Sequence, residues 1–361
     1  MTIPFSTSQM AIIKIRWIVY HFKWLLIDFL KRYLFISNNE FQVFFSFFPS
    51  KFFIMLSTRI KVLHKFFTTH ITQTIRNYST SSSFPYGVAS FEEIRNEKKF
   101  FVDNTKFIPL LEKEGKNLFF TRPPRFGKSL FVDTLAHYYD VKTSKDKFDN
   151  LFGGLYVHKN PTDLQGKYHI LKLDFSIDVS SKSNVEIATE EVKKNLNDNI
   201  SSSVEMMVEK YNLPAKKIIK ENPLLSLKHL TNYLNAKQSG LMILIDEYDR
   251  FANKLMSENM QVYRNMVRGK SGDPLSSPIR SFFETLKSIS GNNPNFRTFT
   301  VGISPLALAD ASGPNTMDDI SLNDTYGDIV GFTQKDIDNG LAIAGVKKEY
   351  EEYSLNAETT S

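Results

Sequence analysis

Cysteine is absent from all 361 residues, which removes disulfides, thiolate nucleophiles and cysteine-based zinc sites together. Histidine is sparse. His21, His64, His70, His137, His158, His169 and His229 include no pair at the three-to-five-residue spacing that puts two ligands on one helix face. They read as ordinary packing or surface residues. Long apolar runs are missing too. A membrane span needs about 20 unbroken apolar residues, but residues 10–30 are interrupted by Lys14, Arg16, Lys23 and Asp28. The stretch 41–56 is short and holds Pro49 and Lys51, so the sequence argues against a transmembrane helix. Finally, no acid occurs between Glu40 and Glu92.

That last absence decides where the net charge of +6 resides. Residues 1–90 hold ten Lys or Arg against Asp28 and Glu40, so they carry +8 and the remaining 271 residues about −2. The basic character is confined to the beginning of the chain, and the rest gives no support for nucleic-acid binding. Residues 1–83 read as a basic, aromatic-rich leader rather than a fold. Within it, 55–83 is acid-free, hydroxyl-rich and apolar at near-helical intervals, the features of a mitochondrial transit peptide. Arg76-Asn77-Tyr78 followed by Ser79 resembles the arginine-type cleavage site of matrix presequences. A mitochondrial location is therefore expected, the alternative being a disordered basic leader on a cytoplasmic protein. Met55 can itself serve as initiator, which would make 1–54 an extension without structural role.

From Phe84 onward, apolar runs alternate with amphipathic stretches, the pattern of an α/β domain with a mainly parallel central sheet. Buried strands are expected at Asn117–Thr121, 168–175, 241–245 and 297–303, and helices at 129–139, Val185–Tyr211 and 279–288. A short helical pattern at 334–341 fades into a polar tail, which divides the chain into leader 1–83, folded domain 84–340 and tail 341–361.

The segment NLFFTRPPRFGKSLFVDTLAHYY, residues 117–139, reads as strand, loop and helix. Free backbone N–H groups and the positive end of the helix dipole converge on such a loop, so it binds anions. Gly127 lets a phosphate approach the backbone, Lys128 can reach β- and γ-phosphates, and the Ser129 hydroxyl can ligate Mg²⁺. The pattern G-x-x-x-x-G-K-[ST] is incomplete, because Arg122 holds the first glycine position. Its expected partner is GLMILIDEYDR, residues 240–250, an apolar strand ending in Asp246-Glu247. Alternation sends those carboxylates to different sides. Asp246 can then serve the metal, while Glu247 can face an attacking water. Asp249 and Arg250 read as a surface salt bridge, with service to the γ-phosphate as the alternative.

With both motifs placed, residues 84–340 resemble the AAA-ATPase-like family, whose members often carry a PD-(D/E)xK-type nuclease domain after the ATPase. The pieces fall in family order: FPYGVASFEEIRNEKKFFVDNTKFI, RPPRFGKSL, LIDEYD, FFETLKS, FTVGISPLAL and GFTQKDI. The family's loop typically reads Arg-Pro-Arg-Arg-Phe-Gly-Lys-Ser, so the resemblance makes Arg122 the family's own version. It implies a P-loop NTPase fold, with Arg122, Arg125, Phe126, Gly127, Lys128, Ser129 and Leu130 holding ATP. It further implies Ser129 and Asp246 on magnesium, Glu247 as catalytic base, and Asp103 near the nucleotide. Two departures bear on hydrolysis: Pro124 stands for an arginine, and Val301 for the threonine of a Thr-Gly-Val-Ser strand end. No nuclease domain follows Ser361, so no nuclease activity is expected of the chain.

The leading expectation is a Mg²⁺-dependent ATPase working through positioning and charge stabilisation. A non-hydrolysing nucleotide switch or protein-interaction module is the alternative, and a functionless remnant a third. The biological substrate, protein partner and oligomeric state stay open.

Overall fold

A computed structural model describes residues 84–176, 184–219, 221–270, 273, 276–305 and 317–344. The leader reading of 1–83 and nearly all of the tail reading lie outside the described residues. In chain order, α1 (Phe91–Asn96) and α2 (Ile108–Glu114) precede β1 (Asn117–Thr121). Next come α3 (Lys128–Tyr139), α4 (Lys145–Phe152), α5 (Tyr156–Lys159), β2 (Tyr168–Asp174), α6 (Val185–Tyr211) and α7 (Pro223–Ala236). The remainder is β3 (Gly240–Asp246), α8 (Arg250–Glu258), α9 (Met260–Val267), α10 (Pro278–Asn292), β4 (Phe296–Gly302), β5 (Asp318–Asp319) and α11 (Gln334–Ala344).

The four expected strands form, each within a residue or so of its expected bounds, and pair in parallel in the order β2-β3-β4-β1-β5. Near-continuous apolar runs are what a parallel sheet covered on both faces requires. Strand alternation divides those runs between two cores. Leu118, Phe120, Ile170, Met242, Leu244, Phe299 and Val301 face the layer containing α1 to α4. Phe119, Leu171, Leu173, Leu241, Ile243, Ile245 and Phe296 face the layer of α6 to α10. By the same alternation Asp246, two residues after Leu244, belongs to the α3 face.

Local signals explain the sharper boundaries. Asn184 accepts from the amides of Glu186 and Ile187 to start α6, and Asn212 ends it in the left-handed conformation at φ 53°. The fifth strand pairs Asp318 and Asp319 with Leu118 and Phe119, closing the sheet beyond β1. Among the described residues no helix is long and apolar enough to cross a membrane.

Candidate functional site

All strands point the same way, so the carboxyl ends of β1, β2, β3 and β4 share one rim, where open parallel sheets place their ligands. Gly127 stands at the N-cap of α3 with φ 94°, a left-handed conformation that costs an ordinary side chain about 1–2 kcal/mol. No heavy atom lies within 4 Å of where a Cβ would sit, so the position demands backbone freedom and leaves open space beside the helix start. Lys128 is buried, and its Nζ donates to the carbonyls of Arg122 (2.8 Å) and Pro123 (3.0 Å). Burial lowers its pKa, against the opposing pull of Asp246, Asp249 and Glu247. Arg125 is exposed with φ 68°, Pro124 and Phe126 are exposed, and Leu130 is partly buried against the α3-side core.

Ser129 and Asp246 come close: the serine hydroxyl is near enough to the carboxylate to favour its ionised form. Strands β1 and β3 are not neighbours, because β4 lies between them. The contact exists because α3 crosses over β4 on the face to which alternation sends Asp246. Desolvation pushes the Asp246 pKa up, and the like charges of Glu247 and Asp174 add to this, while Ser129 and the Glu247 amide oppose it. Asp174 is the register partner of Asp246 on β2.

Glu247 behaves oppositely. Burial alone would raise its pKa, but hydrogen bonds from Ser176 and Arg250, with the charges of Arg250 and Lys128, outweigh burial and hold it below the usual range. The Ser176 hydroxyl donates to Oε2 at 2.6 Å, the Arg250 guanidinium pairs with the same oxygen, and Arg250 also reaches the serine oxygen at 3.0 Å. Glu247 has φ 48°, and with Arg125 it makes two of the five non-glycine positive-φ residues described. Strain of that kind concentrates at functional sites. Adjacent carboxylates pushed in opposite directions are the pattern by which one site separates two roles.

One side chain lies elsewhere than the sequence suggests, and two others make contacts that the sequence does not show. Asp249 is no surface ion-pair partner: it is fully buried and accepts from the amides of Ile303 (3.1 Å) and Ser304 (2.7 Å) and from Asn253 Nδ2 (2.9 Å). Its charge is compensated by the backbone turning out of β4. Only Arg250 makes the exposed ion pair, with Glu247. Asp103 caps its own neighbourhood, accepting from Thr105 and from the Tyr156 amide at 2.7 Å. Val301 is core, buried on the α3 side with Phe299.

The Arg122 guanidinium is held by the chain that follows β5. It lies over the Phe120 ring, 4.5 Å to the centroid, and donates to the carbonyls of Ser321 (2.7 Å), Tyr326 (3.4 Å) and Gly327 (3.4 Å). The sequence gives no hint of this, since those acceptors lie some 200 residues downstream. Ser176 was likewise unmarked; only its place just beyond β2, level with the end of β3, signals it.

Among the described residues no cluster of three or more His, Asp or Glu could hold a metal ion unaided. Ser129 and Asp246 nevertheless suit magnesium, which takes one or two protein oxygens and completes its shell with phosphate oxygens and water.

The sheet, the helix start behind Gly127 and the acidic end of β3 define a protein of the P-loop NTPase class. A model of the AAA-ATPase-like family, described as "Predicted AAA-ATPase", matches residues 85–312, more than half of the chain, and the chain belongs to that family. Such membership implies nucleotide binding. The chain is also 25% identical over 256 residues to an "Uncharacterized protein in vnfD 5'region" of Azotobacter chroococcum mcd 1, the match covering 70% of this chain and 44% of that protein. It thus spans less than half the length of that relative. No solved structure matches it.

Proposed function

We propose that this chain binds Mg-ATP at the rim formed by residues 122–130, Asp246 and Glu247, and hydrolyses it. The observation that carries the reading is the approach of Ser129, at the start of α3, to Asp246, at the end of β3, across an intervening strand. The magnesium ion would be held by Ser129 and Asp246, where it would neutralise charge developing on the phosphates. Lys128, now satisfied by two loop carbonyls, would exchange them for phosphate oxygens. The loop amides and the start of α3 would orient the same phosphates. Glu247, kept ionised by Ser176 and Arg250, would accept a proton from the attacking water.

Lys128 contacts charge in ground and transition states alike, so Lys128→Ala should weaken ATP binding by about 1.5–3 kcal/mol, the cost of a charge-assisted contact. Glu247→Gln keeps the shape and removes the base. It should leave ATP affinity near wild type and lower turnover by roughly 10²–10⁴. Calorimetric binding and phosphate-release assays read the two separately; turnover that survives Glu247→Gln unchanged would refute the base assignment.

One observation favours a non-hydrolysing switch as the second reading: Ser176 and Arg250 both occupy Oε2 of Glu247, which competes with a water for that oxygen. Retained ATP binding with no turnover under single-turnover conditions would select it. Residues 55–83 support import into mitochondria. Fusing 55–90 to a fluorescent protein tests this, and a diffuse cytosolic signal would reject it.

A further inference from the structure

The direction in which a nucleotide must lie follows from the sheet order, and this inference rests on the nucleotide reading above. Asp246, on β3, marks the metal and terminal-phosphate end, two strands to one side of β1. The base therefore lies the other way, past the start of α3 toward β5 and the chain that follows it.

That chain is a fixed wall. Besides the Arg122 bonds, the Ser321 hydroxyl accepts from the Thr121 amide at 2.9 Å, and the Ile320 amide donates to the Phe119 carbonyl at 3.0 Å. Ile320, Tyr326, Ile329 and Val330 are buried on the α3-side core. Farther along, α11 lies against Phe84 and Phe100, a Cβ added at its Gly340 meeting their rings at 3.6 and 3.5 Å. Between these anchors the wall meets the phosphate loop directly: a Cβ added at Gly331 would sit 3.3 Å from the Phe126 ring. Phe126 is 40% exposed, and Phe332, next to that contact, is 60% exposed. Two large aromatic side chains thus stay in solvent at this contact, on the side to which the base is directed; the wall itself buries Ile320, Tyr326, Ile329 and Val330 but leaves Leu322 exposed.

We propose that Phe126 and Phe332 form the platform on which the nucleobase of the bound triphosphate stacks. Aromatic rings stack on any base face and give a purine the larger contact. The phosphates would be held by the loop at 122–130, whereas Phe332 lies some 200 residues downstream in GFTQKDI, beyond residue 312 where the family model ends. Base affinity would thus come from a separate part of the chain.

The test compares Mg-ATP with inorganic tripolyphosphate, which has the phosphates and no base, on the full-length protein. Phe332→Ala should weaken ATP roughly ten- to a hundred-fold, the range for loss of one base–aromatic stack, and leave tripolyphosphate affinity unchanged. Phe126→Ala should act in the same direction, and Phe332→Trp should restore ATP affinity. Unchanged ATP binding in Phe332→Ala would overturn the proposal, as would equal loss of both ligands, which would mark a structural defect. Equal wild-type affinity for the two ligands would overturn the platform while leaving the phosphate site standing. Failure of the wild type to bind either would overturn both.

Discussion

His137 on α3 and His169 on β2 are each held below the ordinary histidine pKa, chiefly by burial, with Asp133 opposing at the first and the Gly240 carbonyl and Asp140 at the second. Folding therefore favours their neutral forms. The stability this contributes is complete above the unfolded value near 6.5 and is lost as pH falls through the lower folded values. Thermal midpoints should fall between about pH 7 and pH 5, and a His137→Asn/His169→Asn double variant should flatten that slope. An unaltered slope in the double variant would contradict the assignment.

Among the elements, the end of β3 organises the rim by dividing consecutive side chains: Asp246 to α3, Glu247 to the end of β2, Tyr248 and Asp249 to the end of β4. Tyr248 donates to the Ser304 carbonyl, and Asp249 takes the Ile303 and Ser304 amides. Asp249→Ala leaves those donors without their acceptor, so it should cost about 1–3 kcal/mol in denaturant unfolding, and Asp249→Asn, which keeps an acceptor oxygen, should cost less. Wild-type stability in Asp249→Ala would remove this clamp from consideration. The same elements show what the sequence reveals. Apolar runs mark four strands and an amphipathic stretch marks α6, because these signals are local. The two-residue β5, made of Asp318 and Asp319, has no strand signature; pairing with β1 alone defines it. Asp249 was misread because its compensating amides lie more than 50 residues away. The Arg122 acceptors and the placing of β4 between β1 and β3 are hidden for the same reason: they are products of long-range pairing.

For the molecule as a whole, the family match ends at residue 312, but the fold uses later residues. Ending the protein at 312 would remove β5 and the Arg122 acceptors, and would strip buried Ile320, Tyr326, Ile329 and Val330 from the core. At about 1.5–3 kcal/mol for each large apolar side chain, such a protein should melt well below one ended at 344, as calorimetry would show. The sheet order also sets a timetable for synthesis. Strand β1 needs β4, whose Thr298 lies 181 residues after Asn117. At about 5–20 residues per second, a ribosome takes roughly 10–40 s to supply that partner. Throughout this interval Leu118, Phe119 and Phe120 have neither sheet neighbour, making the nascent chain a natural client for chaperones before the rim exists to hold a nucleotide.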